Sequence, residues 1–97
     1  MSGVHITITN FWDLDKKSFW DIVSRIYDRL IIRTPYDTGE CTNAWEIDYI
    51  SRDEVEIWND TEYISYLEDG HSKQAPNGWI ERTLNEYREI MYDYINT

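Results

Sequence analysis

Ninety-seven residues, nineteen of them Asp or Glu against nine Lys or Arg, carry a formal charge of −10. A chain of this length fits one compact domain with no room for a second core, and burying about 60–65% of its unfolded surface leaves a stability of roughly 5–10 kcal/mol. The acid excess excludes binding to nucleic acid by phosphate neutralisation, which needs clustered Lys and Arg, and disfavours an anionic membrane surface.

Taken in chain order, residues 1–10 come first. There Val4, Ile6 and Ile8 alternate with His5, Thr7 and Thr9. That two-residue period predicts a half-buried strand, or an ordered arm that pairs only with a neighbour. Residues 14–33 read as a helix. Phe19, Val23, Ile26, Tyr27 and Leu30 recur at steps of three and four, and Trp20 and Ile31 widen the stripe. Asp13 or Asp15 can cap its start, Arg29 and Arg33 suit its negative end, and Pro35 stops it.

Pro35-Tyr36-Asp37-Thr38-Gly39 is a turn by composition. Residues 44–58 then predict a β-hairpin. Trp45, Ile47 and Tyr49 take one face of its first strand, Val55 and Ile57 alternate with Glu54, Glu56 and Trp58 in its second, and Glu46, Asp48, Glu54 and Glu56 form an acidic outer face. A short helix is expected over 61–69, opened by Asp60 or Thr61, with Gly70 placed to end it. The loop DGHSKQAPNG follows, and a last helix over 78–96 carries Ile80, Leu84, Tyr87, Met91 and Tyr94 as its apolar stripe. Arg82 and Glu86 are spaced for a pair on its wet side. The whole reads as a single α+β domain spanning 1–97: two long helices packed on a small antiparallel β-sheet with a β-hairpin and a short helix.

Candidate chemistry is sparse. Cys41 is the only cysteine, so no internal disulfide forms, and no leader or membrane span is apparent, which reads as a soluble, cytosolic-type chain. Asp69, His71 and Ser72 place carboxylate, imidazole and hydroxyl together, but triads are built from segments that converge in space rather than from near neighbours. Cys41 and His71 lack any orienting signature for a thiol–imidazole pair. His5 and His71 show no zinc spacing, and Asp37, Glu68 and Asp69 lack the calcium-loop pattern. No catalytic residue, metal or cofactor is therefore expected. The loop reads instead as a rigid surface. Gly70 and Gly78 permit positive φ and Pro76 fixes one angle, with Tyr63, Tyr66 and Trp79 packing at its ends and Lys73 and Gln74 on its crest. Fifteen aromatic residues are more than so small a core encloses, and Tyr and Trp are enriched at interfaces, so self-association or docking is expected.

Three segments together resemble a known family. They are Thr34, Pro35, Asp37, Thr38, Gly39 and Trp45; then Asn59, Tyr63, Tyr66, Leu67, Glu68 and Gly70; then Gln74, Ala75, Pro76 and Gly78. In that order they are similar to the HK97 gp10-like group of tailed-bacteriophage neck and tail-completion proteins, with Cys41 and Ala44 departing from the usual leucine and serine. The resemblance covers about half the chain. It implies a non-catalytic virion protein, assembled in the host cytoplasm, that forms a homo-oligomeric ring (a hexamer or portal-matched) at the capsid–tail joint. Its partners would be other connector and tail proteins, with DNA only passing through the lumen and no membrane. The motif residues, with His71 and Lys73, would then serve as subunit-interface or structural positions. An acidic inhibitor that mimics DNA to occupy a host DNA-binding protein is the competing expectation.

Overall fold

The computed structural model describes residues 3–34, 43–68 and 78–95. Its elements are β1 (Val4–Thr9), α1 (Lys16–Arg33), β2 (Glu46–Ser51), β3 (Glu54–Asn59), α2 (Glu62–Glu68), α3 (Trp79–Asn85) and α4 (Tyr87–Ile95). The fold is α+β, as the periodicities predict. β3 is the central strand of an antiparallel sheet of order β1-β3-β2. The N-terminal segment is thus a strand of its own sheet, with Ile6 opposite Ile57 and Val4 opposite Asn59, rather than an arm reserved for a neighbour. Side chains alternate across a pleated strand, so this register puts Ile6, Ile8, Val55, Ile57 and Ile47 on the face turned to the helices.

The core sits between that face and the helical layer. Phe19, Ile22, Val23, Ile26 and Leu30 of α1 are fully buried, joined by Val55, Ile57, Ile64, Trp79, Ile80, Ile90 and Met91. Each such side chain contributes about 1.5–3 kcal/mol through its removal from water. Ile22, absent from the sequence stripe, lies at its centre. Tyr27, Trp20 and Ile31 are its half-buried flanks. α1 starts later than its periodicity indicates. Asp15 caps it, its carboxylate accepting from the Ser18 N–H at 3.1 Å and hydroxyl at 2.6 Å. Asp13 instead takes φ +50° in the preceding turn, where the Asn10 side chain both accepts from and donates to the Leu14 backbone.

Tyr49 shares the face of Ile47, as its alternation predicts, but on an edge strand its ring, 4.8 Å from that of Trp20, stays 37% exposed. One expectation needs correction. The last helix is broken. At Glu86 the ladder tightens, with the Glu86 N–H reaching back three residues to the Thr83 carbonyl at 3.2 Å. The break turns the buried face onto Trp79, Ile80, Thr83, Ile90 and Met91, leaving Leu84, Tyr87 and Tyr94 only partly covered. Glu86 also turns away from its expected partner Arg82 and pairs with Arg29 and Arg33 of α1. Contacts of Arg33 with Thr83, Arg29 with Glu86 and Arg25 with Tyr94 show that α3 and α4 run antiparallel to α1. No described helix is long and apolar enough to cross a membrane.

Candidate functional site

α1 leaves the hairpin end of the sheet, where Trp20 Nε1 donates to the Ser51 carbonyl at 3.2 Å, and finishes at the opposite end. There β2 begins, β3 ends and α3 starts. Most of the described motif residues gather at this end, and each secures a segment of backbone there. Trp45, just before β2 and 5% exposed, donates through Nε1 to Thr34 Oγ1 at 2.7 Å. The Thr34 hydroxyl in turn donates to the Leu30 carbonyl at 2.6 Å, and Tyr27 donates to the Trp45 carbonyl at 2.9 Å. Thr34 and Trp45, which flank residues 35–42 in sequence, are therefore fastened to each other and to the last turns of α1.

Glu68 does the same for the 69–77 segment. Its carboxylate accepts from the Ile80 N–H at 2.9 Å and the Glu81 N–H at 3.3 Å, while its carbonyl accepts from the Gly78 N–H at 2.8 Å. The end of α2 thus satisfies donors at the start of α3, where negative charge is also favoured by the helix dipole. Gly78 has φ +75° with open space around it, so backbone angle and not crowding demands glycine there. Glu68→Ala should lower stability by about 1–2 kcal/mol and Glu68→Gln by less, read from urea unfolding midpoints.

Asn59 is fully buried at the end of β3, its Oδ1 accepting from the Thr61 N–H at 3.1 Å and hydroxyl at 2.7 Å. This side-chain turn swings the strand into α2. Beside it Gly3, at φ +119°, lies so close that a Cβ would meet the Asn59 carbonyl at 3.0 Å. The Ser65 hydroxyl accepts from the Gly3 N–H and donates to its carbonyl. Gly3 and Ser65 carried no sequence signal, because only the closed sheet brings residue 3 to residue 59.

The strap between helices is Glu86, hydrogen-bonded by both Arg29 and Arg33, while Arg33 also donates to Thr83 Oγ1 at 3.1 Å. The Arg33 bond, reinforced by the Arg29 charge, holds the Glu86 carboxyl below the usual 4.5. A carboxyl lowered on folding adds stability above its unfolded value and loses it as pH falls through the folded one. Glu86→Gln should therefore remove about 0.5–1 kcal/mol at pH 7, the range for a partly solvated pair, and flatten the decline of stability below about pH 4.5. Urea titrations at stepped pH read this. The Asp15 carboxyl, lowered by its Ser18 bonds, keeps a residual acid slope in the variant.

The opposite face of the sheet carries the predicted carboxylates. The register puts Glu46, Asp48, Glu54 and Glu56 on one side, with Asp48 directly opposite Glu56, alongside Trp58, His5 and Thr7. Trp58 stacks on His5 at 6.1 Å, and His5 Nε2 lies 3.0 Å from Asp60 Oδ1. Among the described residues no group of three or more His, Cys, Asp or Glu is arranged to hold a metal ion. Pro35, Asp37, Thr38, Gly39, Cys41, Asp69, Gly70, His71, Ser72, Lys73, Gln74, Ala75 and Pro76, and the side chains of Tyr63 and Tyr66, lie outside the described residues. Comparison with protein-family models, curated proteins and solved structures finds no match.

Proposed function

We propose that the chain is a non-catalytic virion protein of a tailed bacteriophage, a neck or tail-completion component that forms a ring at the capsid–tail joint. The observation that carries this reading is the shared work of Trp45, Asn59, Glu68 and Gly78. All four come from the resembling motifs, and each secures backbone at one end of the fold. Docking between subunits demands such preorganisation, because backbone already held in place loses little entropy on association. A ring also needs two different complementary surfaces per copy, which the aromatic surplus can supply. The acidic outer sheet face suits a lumen through which DNA must slide without being held.

The test is electron microscopy of particles made without the protein. Full heads separated from complete tails support a joining role, and tails of abnormal length support termination. Virions that never contain the polypeptide end the proposal.

One observation favours a second reading. Asp48 and Glu56 face each other across neighbouring strands, an arrangement that costs stability, and with Glu46 and Glu54 they make a spaced row of carboxylates. Such a row fits a protein that mimics DNA before a basic host factor. Co-purification with one host DNA-binding protein, in place of connector or tail proteins, would select it.

A further inference from the structure

The two edges of the sheet are unlike. β2 is blunted by Glu46, Asp48 and a register shift between Tyr49 and Ser51, the devices that keep an edge from recruiting another strand. β1, VHITIT, has no Lys, no Pro and no bulge, and β3 is its only partner among the described strands. Alternate backbone N–H and C=O groups of β1 therefore point away from the sheet without a strand to meet them. Along this free edge runs a groove of about 210 Å³, lined by consecutive residues of β1 together with Phe11, Ile26, Leu84 and Tyr87. Phe11 stands at its mouth 88% exposed, and Trp12 beside it is 57% exposed. Large rings left in water next to an open strand edge mark a contact surface.

Charge decides what fits. The three strands contain Glu46, Asp48, Glu54 and Glu56 and no Lys or Arg, and Asp53 and Asp60 lie beside the two ends of β1, with Asn10 Nδ2 3.2 Å from Asp53 and His5 3.0 Å from Asp60. A strand added to β1 would continue this face with its outward side chains, while its inward ones enter the apolar groove. A second copy paired edge to edge would join two acidic faces of a chain whose charge is −10. We infer that β1 is a docking edge for an extended segment of another protein, one that alternates apolar with basic residues and adds as a fourth strand. This inference is independent of the virion reading, and either can fail without the other.

The probe is a synthetic peptide, Lys-Ile-Lys-Val-Thr-Val-Lys, offered to the full chain and followed by titration calorimetry and amide hydrogen exchange. Binding should slow exchange at β1 amides. The charge-reversed peptide, Glu replacing each Lys, should bind at least about ten-fold more weakly, as should the Lys peptide to Phe11→Ser, whose exposed ring is not part of the fold's interior. Ile50→Ser, at the blunted edge, should leave affinity unchanged. Equal binding of the charge-reversed peptide, protection at β2 instead of β1, or no binding would overturn the inference. So would a free chain that sediments as a dimer with its β1 amides already protected, because the occupant would then be a second copy.

Discussion

Trp45→Ala should destabilise the protein by about 3–5 kcal/mol, a large part of the stability available to a domain this size. The ring is 5% exposed and belongs to the core, so truncation leaves a void that the backbone cannot easily close. It also removes the donor to Thr34 Oγ1 and releases the start of β2 from the end of α1. Trp45→Phe separates the two effects. It keeps most of the apolar volume and, being a side-chain change, keeps the Trp45 carbonyl that accepts from Tyr27, but it loses the indole N–H; about 1–2 kcal/mol should go. Urea unfolding followed by far-ultraviolet circular dichroism measures both. An alanine variant within about 1 kcal/mol of the parent would show that the end of α1 and the start of β2 are joined by something other than this indole.

The second large effect is electrostatic. Asn59→Asp preserves shape and an acceptor for the Thr61 N–H and hydroxyl, but it puts a carboxylate where the side chain has no solvent contact. In an already acidic chain a loss of about 2–4 kcal/mol at pH 7 is expected from the desolvated charge. Burial raises the folded pKa of such a group above its unfolded value near 3.9. The penalty is then absent below the unfolded value, grows as pH rises past it, and levels off above the folded pKa. The variant should approach parental stability at about pH 4 and diverge from it steadily towards neutrality. Equal instability across that range would assign the effect to lost hydrogen-bond donation instead of charge.

Periodicity made most of the architecture legible. Phe19, Val23, Ile26 and Leu30 were readable as a core stripe, and Val55 and Ile57 as an inward strand face, because each alternates with polar residues in a local pattern. Tertiary position was not readable in the same way. Tyr49 alternates correctly yet remains partly exposed, since no local signal says which strand lies at the edge of the sheet. The break at Glu86 was invisible for a similar reason: residues 78–96 hold no proline or internal glycine, and the acid's true partners, Arg29 and Arg33, lie more than fifty positions upstream. At the candidate site, Trp45, Asn59, Glu68 and Gly78 could be named from the motif resemblance. Their duties became visible only with Thr34, Thr61 and the backbone of Ile80 and Glu81 in place.

The strand order has a consequence for synthesis. β2 and β3 meet through a tight turn, so their pairing closes a small loop, whereas Thr9 must find Glu54 and Val4 must find Asn59 across a far longer stretch of chain. Such distant closure raises the entropic barrier and tends to come late. β1 leaves the ribosome before β3 and receives its partner only after Asn59 has emerged. For that interval it is a naked β-branched ribbon, and the newborn polypeptide is open to mispairing there.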